Sequence, residues 1–437
     1  MSAGVAALPA EIAAGRPKES PDTLRAGADE HPAARVGTIV SVPTPPALLD
    51  PYDAVLLLSF GGPESVGEVL PFLENVTRGR GVPRERLVEV AEHYQLFGGR
   101  SPINDQNRAL LAALRVELAG RGVGVPVVWG NRNWAPYVVE ALREAHEGGA
   151  RRVLAVVTSA YPSYSGCRQY REDLGAALVE LAGEGRVLAV DKVRHYGDHP
   201  GFVAPVVDAV DAGLSELEAR TGAGGRVVFV THSVPVVMDE TSGPGGGAYS
   251  AMHRDVCEAV AARVGRRRGR EVEWDLVFCS RSGPPQQPWL EPDVNDHLAD
   301  LAARGVSGVV VAPVGFVSDH MEVVFDLDTE ARATAEELGL PYVRVATAGT
   351  DPRFVAGLAD LLLERAATAR GEHPDRPATG RLGPWHDVCP IGCCPNQRSE
   401  KPAAAGADWP PATAAVDAQG EAPAGGAGGP AIARTRS

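Results

Sequence analysis

His232 comes almost directly after the apolar run Val227–Val230, in Thr231-His232-Ser233-Val234-Pro235. Imidazole titrates near pH 6.5, so at the end of a strand it can accept a proton or ligate a metal. A lone histidine is more often structural. This one stands where parallel strands open onto a crevice, which favours a chemical role. A second segment, Pro313-Val314-Gly315-Phe316-Val317-Ser318-Asp319-His320-Met321-Glu322, also follows an apolar strand and continues through Asp326 to Glu330. Glu322, Asp326 and Glu330 recur at i, i+4 and i+8, which stacks three carboxylates on one helical face. Like charges at that spacing cost a helix a few tenths of a kcal/mol each, roughly. On spacing alone a solvated acidic face explains them equally well. However, Met321, Val323, Val324, Phe325 and Leu327 lie between them, so the helix is expected to be mostly buried, and buried stacked carboxylates suggest a path for metal ions or protons. Ser318 or Asp319 is expected to cap this helix.

Sulfur forms the second constellation. Cys389, Cys393 and Cys394 fall within six residues, and Cys167 stands alone in Tyr164-Ser165-Gly166-Cys167-Arg168. Six cysteines in 437 residues are too few for a disulfide scaffold, so thiols this close point to a soft metal centre in a reducing compartment. Cys257 and Cys279 sit in apolar runs and read as packed thiols. Two loops complete the inventory. Phe278–Pro292 is Pro-rich and carries Trp289, and in Phe97–Ile103 the pair Ser101-Pro102 would open a long helix. There is no GxxxxGK[ST] and no GxGxxG after the first strand, so nucleotide binding is weakly supported.

The elements that must position these residues alternate. Short apolar runs at Ala54–Ser59, Val125–Trp129, Arg152–Thr158, Arg226–Thr231, Trp274–Cys279, Gly308–Ala312 and Tyr342–Val345 read as strands buried on both faces. Amphipathic stretches Ile103–Ala119, Pro136–Glu147, Pro200–Arg220, Ser250–Val264 and His320–Leu338 lie between them. This βαβα rhythm predicts an α/β fold of doubly wound parallel sheets. It also repeats: Val55–Pro63 resembles Val227–Pro235 in outline, so two similar Rossmann-like halves are expected, 51–220 and 221–370, with a cleft between them. A cysteine-containing extension would follow over 371–398. Residues 1–50 and 399–437, rich in Pro, Gly and Ala, read as solvated, disordered tails.

Charge and hydropathy exclude some classes. With 42 basic and 56 acidic residues the net charge is −14, which argues against a nucleic-acid partner. No run approaches the roughly 20 apolar residues of a membrane span, and Pro, Glu and Asp interrupt residues 1–50, unlike a secretory signal. A cytoplasmic protein is expected.

Taken together, SFGGPE (59–64), GGRSPI (98–103), THSVP (231–235), SRSGPP…PWLEP (280–292) and PVGFVSDHMEVVFDLDTEA (313–331) resemble the ferrochelatases, in the same order and over roughly residues 52–370. The resemblance implies two Rossmann-like halves flanking a porphyrin cleft, and an enzyme that inserts Fe²⁺ as substrate in haem biosynthesis. By position, His232 matches the family's active-site histidine and Glu322 the glutamate opposite it, while Asp326 and Glu330 continue the carboxylate stack. Which of His232 and Glu322 binds iron and which takes protons stays open. Phe60 stands where family members place tyrosine or methionine. Phenylalanine cannot ligate, so iron would rest on His232 and Glu322. Many ferrochelatases also resemble this chain in holding a [2Fe–2S] cluster on one mid-chain and three C-terminal cysteines, here Cys167, Cys389, Cys393 and Cys394. The C-x3-C-C spacing departs from the animal pattern, and a structural zinc site is the competing reading.

The family divides between protoporphyrin IX and coproporphyrin III. Asn75–Arg86 carries four arginines in nine positions, an odd choice for a membrane lip and a useful one for gathering propionates. Coproporphyrin III, with four propionates, is therefore the expected substrate. Arg78 and Arg80 would be contacts, with Ser101 and Tyr170 as further propionate partners and Phe60 lining the site. Coprohaem would pass to the next haem-pathway enzyme. Three alternatives are a protoporphyrin IX ferrochelatase, a non-catalytic haem or metal carrier, and a chelatase for sirohydrochlorin or cobalt. A carrier has no use for the carboxylate stack, and chelatases of the last kind lack SRSGPP…PWLEP.

Overall fold

A computed structural model describes residues 47–79, 81–283 and 286–409. The first half begins with β1 (Ala54–Ser59), an apolar strand with every residue buried. Next come α1 (Val66–Val76), α2 (Arg84–Gln95), α3 (Ile103–Gly120), β2 (Val127–Asn131), α4 (Val138–Glu147), β3 (Arg152–Val157), α5 (Gln169–Gly183) and β4 (Ala189–Lys192). The second half runs α6 (Pro200–Thr221), β5 (Arg226–His232), α7 (Val236–Glu240), α8 (Ala248–Arg268), β6 (Trp274–Cys279), α9 (Val294–Ala303), β7 (Val309–Ala312), α10 (Met321–Phe325), α11 (Ala331–Glu337), β8 (Tyr342–Arg344) and α12 (Pro352–Ala369). Each half holds one wholly parallel four-stranded sheet, in order β2-β1-β3-β4 and β6-β5-β7-β8. The two orders are the same, so β1 and β5 are equivalent central strands. Their carboxyl ends, at Ser59 and His232, lie beside the point where strand order reverses, the usual place for a ligand.

The expected strands and helices are present with ends shifted by a few residues. β4, α1, α2, α5 and α9 were not read from the sequence. β4 has only four residues and includes Asp191 and Lys192, too short and too polar for an apolar-run criterion. The last helix of each half crosses over. α6 packs on β7, β8 and α8, whereas α12 packs on α3, α6 and β3. The chain therefore changes sheets before α6, not near residue 220. Both helices are apolar around much of their circumference, and burial between two layers is what such helices require.

The 399–437 stretch also departs from a solvated tail, since residues 399–409 are described and ordered. Ala403, Ala404 and Ala405 are buried in the core that covers the first sheet, alongside Leu56, Leu174 and Leu178. Their backbone pairs with α5: the Ala404 amide donates to Arg171 O (2.9 Å), and Arg171 Nε donates to Ala404 O (2.8 Å). Asp408 closes the strap by accepting from both Arg168 and Arg171. The Arg171 side chain is fully buried. Leaving a buried guanidinium without its carboxylate costs about 3 kcal/mol, so Asp408→Ala should lower urea-denaturation stability by about that amount. Asp360→Ala, which breaks a largely exposed pair with Arg121, should cost under about 1 kcal/mol.

Candidate active site and thiol centre

His232 is the last residue of β5, in register with Cys279 on β6. Its Nδ1 lies against Ser233 O. A carbonyl only accepts, so Nδ1 carries the hydrogen and Nε2 presents a lone pair. That Nε2 is 3.7 Å from Glu322 Oε1. The ring is held by what surrounds its backbone. The Ser233 amide donates to Cys279 O (2.7 Å) and its hydroxyl to Leu290 O (2.8 Å). Leu290 N returns a bond to Val234 O (3.0 Å), so the Pro-rich loop is strapped along Ser233–Pro235. Beneath, Tyr249 donates its hydroxyl to His232 O (2.7 Å), and buried Thr231 bonds His253 Nε2 (2.9 Å). Gly315 is required here: a Cβ would stand 2.0 Å from Thr231 Oγ1.

The carboxylate helix starts later than expected. Asp319 is occupied by Arg344 at 3.0 Å, so it does not cap. His320 is the N-cap, and its carbonyl accepts from the Val323 and Val324 amides at 3.0 Å. Its Nε2 stands 3.2 Å from Glu322 Oε2. Glu322 therefore lies between two imidazoles, and His320 is a site residue that the spacing argument passed over although it lies two positions away. The helix then changes pitch. Asp326–Glu330 is a π turn in which the Ala331 amide reaches Asp326 O and Thr329 Oγ1 donates to Val324 O (3.2 Å). Such turns widen the helix and often mark functional sites. The three carboxylates thus do not share one α-helical face, but they remain within electrostatic reach of one another.

Asp326 is mostly buried, and its carboxyl is pushed up to about 7, chiefly by removal from water. The Ser280 hydroxyl donates to it and opposes the shift, whereas Glu322 and Glu330 add to it. Ser280 holds φ +62°, a left-handed conformation rare for a non-glycine and found at functional sites. Glu330 is raised by burial and by Asp293, and lowered by His93. His93 stacks on Phe325 (3.9 Å, 10°), and the phenol of Tyr94 is raised by burial, Glu322 and Asp326. Both belong to α2, so the first half closes over a helix of the second. Sequence reasoning missed them because their partners are more than 200 residues away.

Facing this column is an aromatic wall. Phe60, just past β1, meets Phe72 edge-on at 6.3 Å, and Arg132 lies over both Phe60 (5.7 Å) and Tyr170 (4.6 Å) while paired to Asp173. Tyr170 is buried on α5, and Glu322 is among the charges that raise its phenol. Ser101 is also buried; Pro102 is the N-cap of α3, and the Ser101 hydroxyl lies 3.4 Å from the Ile103 amide. The basic segment is not one long loop. α1 runs to Val76 and α2 starts at Arg84, while Arg84 pairs with Glu74 and Arg86 with Glu89. Arg78 remains exposed in the turn with no ion pair among the described residues; Arg80 lies outside them.

The four expected cysteines converge. Cys167 and Cys389 Sγ are 3.5 Å apart, Cys393 and Cys394 are 3.8 Å apart, and all four are buried. Cys167 rides a π turn, Tyr164–Arg168, that leads into α5. Cys394 accepts from the Gly243 amide (3.1 Å) in the α7–α8 turn, where Gly243 (φ +73°) leaves no room for a side chain against Trp385. His386 Nε2 is 4.0 Å from Cys393 Sγ, and His386, Cys389 and Cys393 form a compact donor group. This histidine too was missed, although His386-Asp-Val-Cys389 has ligand-like spacing. Cys389 is held low by hydrogen bonds from Cys167 and Cys393, against burial, while Cys167 is held high. Three buried nitrogens nearby, Arg171 Nη1, His195 Nε2 and Trp385 Nε1, have no hydrogen-bond partner among the described residues, while Arg168 Nε faces Glu172 at 3.5 Å.

Comparison with known proteins agrees with this geometry. The ferrochelatase family model matches residues 52–366. A coproporphyrin III ferrochelatase of Streptomyces griseus subsp. griseus is 60% identical over 366 residues, covering 82% of this chain and 97% of its own. One of Leifsonia xyli subsp. xyli is 53% identical, covering 81% and 94%. A ferrochelatase of Rhodopirellula baltica is 48% identical, covering 82% and 97%. With an imidazole facing a glutamate beside the mostly buried Asp326, and a match to most of its length, this chain belongs to the ferrochelatase family.

Proposed function

We propose that this chain inserts Fe²⁺ into coproporphyrin III to give coprohaem. The observation that carries the reading is the 3.7 Å approach of His232 Nε2 to Glu322 Oε1 at the mouth of the Asp326–Glu330 column. Insertion exchanges two pyrrole N–H protons for one Fe²⁺. The lone pair on Nε2 and the Glu322 carboxylate are the facing donors between which iron arrives and protons leave. Asp326, which titrates near neutrality, can take up and release a proton at working pH. His320 steadies the second oxygen of Glu322. Four propionates favour a cationic approach, and Arg78 supplies one; Arg80, Ser101 and Tyr170 remain proposed contacts. A cytoplasmic setting, where thiols stay reduced, and hand-over of coprohaem to the next enzyme belong to the same reading.

Cys167, Cys389, Cys393 and Cys394 are proposed to hold a [2Fe–2S] cluster. The donor set fits: four buried thiols suit it, and the N–H groups of Arg171 Nη1 and Trp385 Nε1, without acceptors among the described residues, match the extra sulfide acceptors that zinc would not bring. When bound, such a centre supplies one-electron redox chemistry.

His232→Ala should abolish metallation without unfolding the chain, and Glu322→Gln should lower turnover by at least about 100-fold, the scale of a lost acid–base group. Near-normal turnover of His232→Ala would remove the site assignment. In detergent-free competition at equal concentration, coproporphyrin III should be metallated far faster than protoporphyrin IX; the reverse order would exchange the substrate and leave the enzyme class standing.

Two further outcomes follow. Anaerobically purified protein should contain about two iron and two acid-labile sulfide per chain, lost in Cys167→Ser and Cys394→Ser and kept in Cys257→Ser. Stoichiometric zinc without sulfide would overturn the cluster. The raised Asp326 carboxyl is neutral in the folded state below about 7 and favours folding there; that contribution is complete below the unfolded value of 3.8 and declines as pH rises through about 7. Asp326→Asn should therefore raise urea stability at pH 8, by about 2 kcal/mol, and leave it unchanged near pH 4.

A further inference from the structure

Lys192, at the end of β4, is buried to 5% exposure, an uncommon state for an ammonium unless it is paired. Its Nζ has one hydrogen-bond acceptor, Val193 O at 2.9 Å, for three N–H groups. No carboxylate lies within ion-pair distance of it among the described residues. The adjacent Asp191 accepts instead from Tyr52 and pairs with Arg365. The groups within electrostatic reach of Lys192 are Cys167 and Cys389. Arg171 stands one turn beyond Cys167 on the same helix, fully buried, with Nη1 unpartnered while Nε and Nη2 hold the C-terminal strap. His195, three residues after Lys192, has Nε2 buried and unpartnered and meets the Trp385 ring edge-on at 6.0 Å; Trp385 in turn lies against His386 (4.4 Å). A buried donor without an acceptor is costly. Lys192 Nζ and Arg171 Nη1 are such donors among the described residues, and both lie within electrostatic reach of Cys167 and Cys389. His195, held neutral by burial and bonded to the Ser159 backbone through its other nitrogen, instead offers Nε2 as an acceptor.

From this convergence, and resting on the iron–sulfur reading above, we infer that Lys192 is the buried counter-charge of the sulfur centre and sets its reduction potential, with Arg171 Nη1 as the accompanying N–H donor. Four thiolates around an oxidised [2Fe–2S]²⁺ core carry a net −2, and one added electron makes that −3. A fixed ammonium in a low-dielectric pocket stabilises the more negative state more strongly, so its removal must favour the oxidised form. On this reading Lys192 is no ligand of the centre and acts on it through charge.

The test is a mediated redox titration of the anaerobic holoprotein, followed by electron paramagnetic resonance, with iron and sulfide measured on the same samples. Lys192→Met should disfavour reduction at least tenfold, a fall of 59 mV for one electron, and Lys192→Arg should restore most of it. If Lys192→Met fails to assemble the centre, assembly in Lys192→Arg would show the same dependence on charge. Unchanged potential with full iron and sulfide in Lys192→Met would overturn the inference, as would loss of the centre in both variants. Zinc without sulfide in the unsubstituted protein would instead overturn the iron–sulfur reading itself.

Discussion

A carboxylate taken out of water must be neutralised, paired with a cation or given a proton, and Asp326 is where this chain meets that requirement. No lysine or arginine is among the main groups that shift it. Its neighbours are a hydroxyl, two further carboxylates and a thiol, and the result is an acid that titrates near neutrality. Much of the surrounding architecture serves this arrangement. The π turn widens the helix at Asp326, Ser280 adopts left-handed φ to bring its hydroxyl in, and α2 closes over Phe325 with His93. A buried cation at this point would hold the carboxylate ionised and remove its titration near neutrality.

The thiol centre follows the opposite rule. There the buried cation without a carboxylate among the described residues is Lys192, and the counter-charge proposed for it is sulfur, whereas Arg171 pairs with Asp408. Cys167 leads into α5, which also carries buried Tyr170 under Arg132, while Cys394 grips the α7–α8 turn that follows His232 in the chain. The C-terminal strap over Arg171 joins the same assembly. The thiol group and the Arg132–Tyr170 pair thus share α5 as a supporting element.

The exchange of α6 and α12 between the sheets gives the cleft its stiffness. Each sheet is covered by a helix connected to the other, so opening the halves would expose apolar surface on both. The α1–α2 hairpin has its own small core of Val69, Phe72, Leu73, Leu87 and Ala91, with Phe60 packed against it, and meets the second half where His93 stacks on Phe325.

Local chemistry in the sequence was enough for the strands β1, β5, β6 and β7, because strands buried on both faces are nearly all apolar. Together with the family resemblance it also pointed to His232, Glu322 and the four cysteines, which the fold brings together in two groups. The short polar strand β4, the helical nature of the arginine-rich segment and the ordered strap at Ala403–Asp408 were not legible, since none stands out from its own neighbours. The same holds for the surroundings of His93 and Tyr94, whose neighbours Phe325, Glu322 and Asp326 are more than 200 residues away, because a pattern of residue types along a chain does not record distance between distant segments. His320, two positions from Glu322, and the burial of Lys192 were not legible because residue type alone does not record orientation or burial. Only the tertiary structure decides which carboxylate loses its water and which ammonium loses its partner, because desolvation is a property of the surroundings and not of the residue.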